Sequence, residues 1–311
     1  MRPSVPMSKR FGVCFDESMI LQQPGALRPP RLTEPLLMIL PFASLTAWLA
    51  LAAYAGLSWH FLAHAHGWRI PWRRALPTEH LLVAATLVLH LLALLPANAH
   101  GLALGLGQSL STVMWLTVLI YWTASFFYKL DGLQTCLMPM AVLGMALALA
   151  LPPSHLAYDL HQPAVLLHIL VSLLAYSLLL IAAILAVMML VLDRALHAKR
   201  FSPVIRQMPP LLALEKLLFQ VLWSGFALLT LTVFSGVLFS EQLFGRPVAL
   251  SHKTVFALMS WLIFAALMWG RLRHGWRGRL AVRWTLAGFG LLLLAYVGSK
   301  FVLEVLLQRP G

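Results

Sequence analysis

The sequence predicts an all-α, polytopic membrane protein with eight transmembrane helices and both ends of the helix bundle on the outer side of the membrane. Hydrophobic residues make up 60% of the 311 residues and charged residues only 11%, whereas about a quarter of an ordinary soluble domain is charged. Several apolar runs reach the length of about 18 residues that marks a transmembrane helix. Lysine and arginine are concentrated in alternate loops between these runs, which is typical of a multi-pass membrane protein.

Eight apolar runs set the predicted spans. The longest contains no Asp, Glu, Lys or Arg between Gln162 and Leu192. At ~1.5 Å per residue, a helix of that length exceeds the ~30 Å hydrocarbon thickness of a bilayer. The predicted spans are residues 36–58, 80–98, 104–127, 133–152, 163–192, 214–239, 254–270 and 284–307. With their loops they form one predicted transmembrane domain over residues 36–309.

Residues 1–35 precede this domain and differ from it in composition. They are polar, contain several prolines and show no periodic apolar pattern, so we expect a disordered or non-native N-terminal tail. Met38 lies close to the start of the first apolar run. A natural start at Met38 instead of Met1 is therefore an open alternative.

The loops predict the orientation. Those that follow the first, third, fifth and seventh spans, with the adjoining helix ends, hold 14 of the 23 Lys and Arg, and the alternate loops and C-terminus hold four. Since basic loops tend to stay in the cytoplasm, the side with 14 is predicted to be cytoplasmic. This topology accounts for the formal net charge of +13, so we expect a lipid bilayer and no nucleic acid as partner. On the same side, GWRGR at 275–279 predicts a tight turn against lipid headgroups, with a partner-docking site as the alternative.

Several chemistries have no support in the sequence. The two cysteines, Cys14 and Cys136, do not form a CxxC or CxxCH motif, so neither a thiol redox site nor covalent c-type haem attachment is indicated. No carboxylate lies at mid-membrane depth in the predicted spans, as a proton pump or cation transporter usually requires. No P-loop, nucleophile elbow or HExxH motif occurs either. We expect a protein that is not an enzyme.

Histidine is the side chain available for chemistry. His90 and His168 lie inside predicted spans, ~12 Å and ~8 Å from the outer ends. Their similar depths predict two neutral imidazoles facing one another across an outward-opening cavity, as axial ligation of haem iron requires. Arg246 and Lys253, in the next outer loop, are the predicted partners of the haem propionates. The alternative is that each histidine only hydrogen-bonds a carbonyl, Ser or Thr on a neighbouring helix.

Three segments of the C-terminal half carry a family resemblance. In chain order they are LLHILVSLLAYSLLLIAAILAV, MPPLLALEKLLFQVLWSGFALLTLT, and SGVLFSEQLFGRPVALSHKTVFALMSWLIFAALMWGRLRHGWRGRLAVRWTLAGFGLLLLAYVGS. They resemble the CcsA-type cytochrome c assembly proteins and, among these, the YpjD subgroup of inner-membrane proteins, which is related to HemX. The resemblance covers roughly residues 38–307. It implies a bacterial inner-membrane protein with haem as cofactor, a second membrane assembly protein as partner, and His168 at the family's functional histidine.

Departures from the family pattern limit the expected activity. The tryptophan-rich outer loop of the synthase is reduced to FGRPVALSHK, with Phe244 in place of Trp, and the loss of indole rings removes flat contacts for a porphyrin. The family's last outer histidine falls near Leu307, and His252 stands where the synthase has Pro; whether His252 substitutes is left open. We expect haem binding or handling without full synthase activity. The alternative is a haem-free accessory or scaffold for another membrane complex, in tetrapyrrole regulation or metal-ion transport.

Overall fold

The computed structural model describes residues 34–68, 76–95, 102–103, 105–128, 130, 132–151, 157–158, 163–199, 202–238 and 252–298, with side chains of the first helix from Leu45 onward. Most of these residues are helical, which confirms the predicted all-α fold. Residues 1–33, and with them most of the predicted tail, lie outside the described part.

The elements follow one another in a simple order. The helices are α1 (Glu34–Ala65), α2 (Leu76–Leu94), α3 (Leu106–Ala124), α4 (Leu133–Ala150), α5 (Pro163–His197), α6 (Pro203–Arg206), α7 (Leu211–Leu238), α8 (His252–His274) and α9 (Arg279–Leu293). A π-helical turn, Leu294–Gly298, continues α9. Two short strands, β1 (Leu102–Ala103) and β2 (Ala157–Tyr158), lie in the α2–α3 and α4–α5 connections.

Seven helices of the described part are long and apolar enough to cross a membrane. They are Leu45–Ala65, Leu76–Leu94, Leu133–Ala150, Pro163–His197, Leu211–Val237, His252–His274 and Arg279–Tyr296. The third predicted span corresponds to α3, which has 19 residues but contains enough Gln, Ser and Thr to reduce its apolar character. The count of eight crossings therefore stays a prediction.

Helix α5 continues beyond the end that hydropathy predicted at residue 192. It runs to His197, with Arg194 and His197 in its last turn. Cations at this position interact favourably with the negative end of the helix dipole. Hydropathy reports only the apolar part of a helix, so it could not show this polar extension.

Helix α5 is also the centre of the bundle. In its most apolar window 67% of the residues are buried, against 28–39% in the other six candidate spans. It packs on α7, α9, α3 and α4, whereas α1 packs on α2 and α4, and α8 packs on α9 and α7. Helix α5 thus joins a group made of α1 to α4 to a second group made of α7, α8 and α9.

Contacts between helix ends define two sides of the bundle. Strands β1 and β2 pair antiparallel, which brings the α2–α3 and α4–α5 connections together on what we call the strand side. At the other end, Gln207 Nε2 donates to the His64 carbonyl at 3.1 Å, and Trp122 Nε1 donates to the His80 carbonyl at 3.1 Å. We call this end the basic side, since Arg271, Arg277 and Arg279, in and beside the α8–α9 connection, lie here. Consecutive long helices alternate in direction; which side faces the cytoplasm stays a prediction.

A carboxylate on the basic side ties three helices together. Glu215 of α7 accepts from Arg271 Nη1 of α8 at 3.2 Å and from the Gly278 amide at 3.3 Å, and Arg271 also donates to the Trp276 carbonyl. Gly278 has φ of +61°, a conformation that glycine adopts at little cost. A Cβ at Gly270 would collide with the Trp276 ring. The GWRGR motif therefore forms a tight turn, held by Glu215.

Candidate functional site

His168 lies in the second turn of α5, near the strand side. Its Nδ1 is 2.7 Å from the Ser235 hydroxyl of α7, and the same hydroxyl donates to the Thr232 carbonyl at 3.1 Å. A serine hydroxyl has one proton. With that proton on the Thr232 carbonyl, the Ser235 oxygen accepts from His168 Nδ1–H; with it on Nδ1, the imidazole proton lies on Nε2. In the first of these two tautomers the lone pair is on Nε2, which is the state that binds a metal.

Glycine and lysine complete the immediate surroundings of this ring. A Cβ on Gly236 would lie 3.5 Å from His168 Cε1, so the α7 backbone passes close to the imidazole edge beside Nε2. Lys253, in the first turn of α8, is near enough to interact electrostatically with His168. The positive charge of Lys253 favours an anionic ligand beside this ring.

Two tyrosines extend the site, Tyr176 on α5 and Tyr296 in the turn that continues α9. Tyr176 follows His168 by eight residues and therefore lies on about the same helix face. Its ring is 5.4 Å from the Tyr296 ring, centroid to centroid, and Lys253 Nζ lies 5.8 Å from the Tyr296 centroid. The π-helical turn Leu294–Gly298 contains Tyr296, and such turns often occur at functional sites. We call His168, Tyr176, Ser235, Lys253 and Tyr296 the His168 cluster.

His90 has a different environment. It is fully buried, and both ring nitrogens have partners: Nδ1 is 3.1 Å from the Tyr54 hydroxyl of α1, and Nε2 is 2.8 Å from the Ser111 hydroxyl of α3. Ser111 also donates to Met145 sulfur at 3.5 Å. Unlike His168, His90 has no ring nitrogen left over, so binding iron there would require one of these buried hydrogen bonds to break.

The structure therefore gives the two histidines separate partners and does not bring them together into one cluster. The predicted hydrogen bond to a Ser on a neighbouring helix is present at both. Of the other predicted site residues, His252 is the exposed first residue of α8 and Lys253 is in the His168 cluster. Arg246, Phe244 and Leu307 lie outside the described residues. Ligation of iron by His168 or His90 stays a prediction.

Sequence reasoning missed Tyr176, Tyr296 and Ser235. The spacing of His168, Ser172 and Tyr176, four residues apart each time, could have indicated a shared polar face on α5. Ser235 and Tyr296 come from distant segments, and no local pattern joins them to His168. Within the described residues, no group of three or more His, Cys, Asp or Glu could hold a bare metal ion. A single imidazole suffices for iron that a porphyrin already holds through its own nitrogens.

Replacing His90 by alanine is expected to lower the free energy of unfolding by about 2–3 kcal/mol, since it opens a buried cavity and deprives the Tyr54 hydroxyl of this partner. The thermal unfolding midpoint in detergent measures this. His66→Ala is the control, because His66 is exposed and, among the described residues, its side chain hydrogen-bonds its own helix backbone at the Leu62 carbonyl. Equal midpoints for the two variants would contradict the buried network.

Comparison with known proteins decides the family. A match to the family described as Cytochrome C assembly protein covers residues 74–307. The chain belongs to this family. The Escherichia coli K12 protein named Inner membrane protein YpjD is 34% identical over 166 residues, 53% of this chain and 62% of that protein. The Thermosynechococcus vestitus Cytochrome c biogenesis protein CcsA is 25% identical over 213 residues, 56% of this chain and 66% of that protein. No solved structure matches the chain.

These findings confirm the predicted resemblance to CcsA-type proteins and to YpjD. The chain spans 62% of the length of the YpjD relative. Its apolar helices and its inner-membrane relatives make this cytochrome c assembly protein a multi-pass protein of the bacterial inner membrane. The His168 cluster and the GWRGR turn both lie within the range that the cytochrome c assembly family shares.

Proposed function

We propose that this cytochrome c assembly family protein binds haem on the strand side and hands it on without attaching it to a cytochrome itself. The observation that carries the proposal is the 2.7 Å contact between His168 Nδ1 and the Ser235 hydroxyl, which also reaches the Thr232 carbonyl. We infer that Ser235 accepts the Nδ1–H of His168, which leaves Nε2 with its lone pair. A ligating histidine almost always donates its other N–H in this way. Haem, when bound, supplies an iron with an open axial position for one imidazole.

The rest of the His168 cluster fits an anionic, flat, apolar ligand. The Lys253 ammonium is placed to attract a propionate, and Tyr176 and Tyr296 offer aromatic surface. Arg246 is a further propionate partner predicted from sequence. We propose binding and transfer rather than catalysis because FGRPVALSHK, residues 244–253, lacks the tryptophans of the synthase loop.

We further propose that the strand side faces the periplasm and the basic side the cytoplasm. The support is the excess of Lys and Arg on the basic side. In this orientation His168 lies within ~8 Å of the periplasmic end of α5. The relatives are named for cytochrome c assembly, a process that needs haem. We propose that a partner assembly protein approaches the strand side, where His168 lies.

Titration of haemin into the purified, detergent-solubilised protein tests the proposal. We expect a saturable Soret band at one haem per chain, with the spectrum of an imidazole-ligated iron. The His197→Ala variant serves as a matched control because His197 is exposed on the basic side, and it should titrate like the wild type. A spectrum equal to that of haemin in empty micelles would overturn the proposal.

A haem-free scaffold is the second candidate function. The observation that favours it is His90, an in-span histidine whose nitrogens are both committed to helix packing. On this account His168 and Ser235 also serve only to join α5 to α7. The two functions differ in the haemin titration, since a scaffold gives no Soret band.

A further inference from the structure

A groove near the basic side has no role in the proposed haem site. It has a volume of about 180 Å³ and lies where α3, α5 and α7 meet. Its walls are mostly apolar; the lining includes Ile120, Ala124, Ile181, Leu185, Leu217 and Val221. A cavity of this size is below the ~300–1,000 Å³ of most small-molecule sites, and a planar macrocycle is a poor match for it.

The position of the groove points to the bilayer as the source of its ligand. The lining residues on α7 run from Leu217 to Ser224 and those on α5 from Leu178 to Leu185, which corresponds to ~10 Å along each helix. All belong to candidate membrane spans. Gln220 and Ser224 on the rim are exposed. The groove is therefore a narrow slot at membrane depth that opens sideways, a shape that suits part of a hydrocarbon chain.

A tyrosine lines the end of the groove toward the basic side, and a lysine lies just beyond the lining. Tyr128 lines this end and is half-exposed at 49%, as is common for tyrosine at a membrane surface. Lys216 lies one helical turn before Gln220, on the same face of α7, and its side chain is exposed. Among the residues that the structure describes, no carboxylate forms an ion pair with Lys216. An ammonium at the headgroup end of an apolar slot complements an anionic phosphate.

We propose that this groove binds one anionic phospholipid from the basic-side leaflet, with an acyl chain between α3, α5 and α7 and its headgroup phosphate on Lys216. The bound chain completes the packing between α3 and the α5–α7 pair. The site is separate from the His168 cluster and stands whether or not haem is bound.

Photo-crosslinking in lipid nanodiscs tests this site. The probes are phosphatidylglycerol and phosphatidylcholine that carry a diazirine in one acyl chain, and labelled peptides are identified by mass spectrometry. With phosphatidylglycerol we expect label concentrated on residues 120–128, at and just after the end of α3, and on α7 residues 217–224. Ala124→Phe fills the groove from α3 and Ser224→Phe fills it from α7, so each should reduce this label to the level of other lipid-facing helices. Ala85→Phe, at an exposed position of α2, is the control of equal bulk and should leave the label unchanged.

The charge is tested separately. Lys216→Gln should reduce the preference for phosphatidylglycerol over phosphatidylcholine about fivefold at the groove, while Arg283→Gln, an exposed cation on the same side, should leave it unchanged. Uniform label over all lipid-facing helices, or groove label unaffected by both phenylalanine variants, would overturn the proposal. So would displacement of the label by an isoprenoid quinone but not by unlabelled phosphatidylglycerol. Unchanged thermal unfolding midpoints show that the variants are folded.

Discussion

The His168→Ala variant is expected to lose more than about 100-fold in haem affinity, with the Soret band reduced to that of haemin in micelles. The reason is that, in the proposed tautomer, the Ser235 contact leaves Nε2 of His168 free for iron. Changing a partner of a metal ligand costs about 10–100-fold in affinity, and removing the ligand costs at least as much. Absorbance titration with haemin measures both the affinity and the band.

Two neighbouring variants separate ligation from packing. His90→Ala should keep the haem affinity of the wild type, because the His90 nitrogens bond Tyr54 and Ser111. Ser235→Ala should weaken haem binding about tenfold, since His168 then loses the acceptor that holds its tautomer and orientation. If His90→Ala removed the band and His168→Ala kept it, His168 could not be the ligand.

The Glu215→Ala variant is expected to lose about 2 kcal/mol of stability, which a lower thermal unfolding midpoint in detergent would show. The Glu215 carboxylate is 12% exposed and pairs with Arg271, and it also holds the Gly278 amide. Removing a charge-assisted hydrogen bond of this kind from a poorly solvated position costs about 1.5–3 kcal/mol of stability. In this variant the Arg271 guanidinium loses its carboxylate partner. It keeps its contact with the Phe219 ring, 4.2 Å from the centroid, and its hydrogen bond to the Trp276 carbonyl.

Asp193→Ala is the matched control for that experiment. Asp193 also accepts from an arginine on the basic side, Arg279 at 2.7 Å, but the arginine side chain is 58% exposed. Exposed ion pairs contribute about 1 kcal/mol or less. If the thermal unfolding midpoint fell as far in Asp193→Ala as in Glu215→Ala, the contribution of Glu215 to the GWRGR turn would be no larger than that of an exposed ion pair.

Much of the fold could be predicted from the sequence because bilayer thickness imposes a long apolar run on every crossing. Helix α5 shows both the strength and the limit of this. Its apolar core from Gln162 to Leu192 is evident, but its last turn at Arg194 and His197 is polar and depends on the helix dipole. Helix α3 shows the opposite case: it is a regular helix whose hydroxyl and amide side chains weaken the hydropathy pattern.

Less of the candidate site could be predicted. His168 could be found because a histidine in an apolar span must have a partner. Lys253 could be found because it is a cation in the predicted outer loop that follows the sixth span. Depth alone suggested that His90 and His168 meet, yet equal depth says nothing about which face of a helix a residue occupies. The choice between ligand and packing residue depends on contacts such as Tyr54 with His90, between helices far apart in sequence. Only the folded arrangement of α1, α2, α3, α5 and α7 supplies those contacts.

The most direct test of iron binding at His168 is rescue of His168→Gly by free imidazole. This variant leaves a space where the ring was, next to Gly236 and Ser235. We predict that haemin alone gives the micelle spectrum, and that added imidazole restores the wild-type Soret band in a saturable way. If His168→Gly bound haemin with wild-type affinity in the absence of imidazole, the assignment of His168 as the ligand would be contradicted. It would also be contradicted if added imidazole left the Soret band of this variant unchanged.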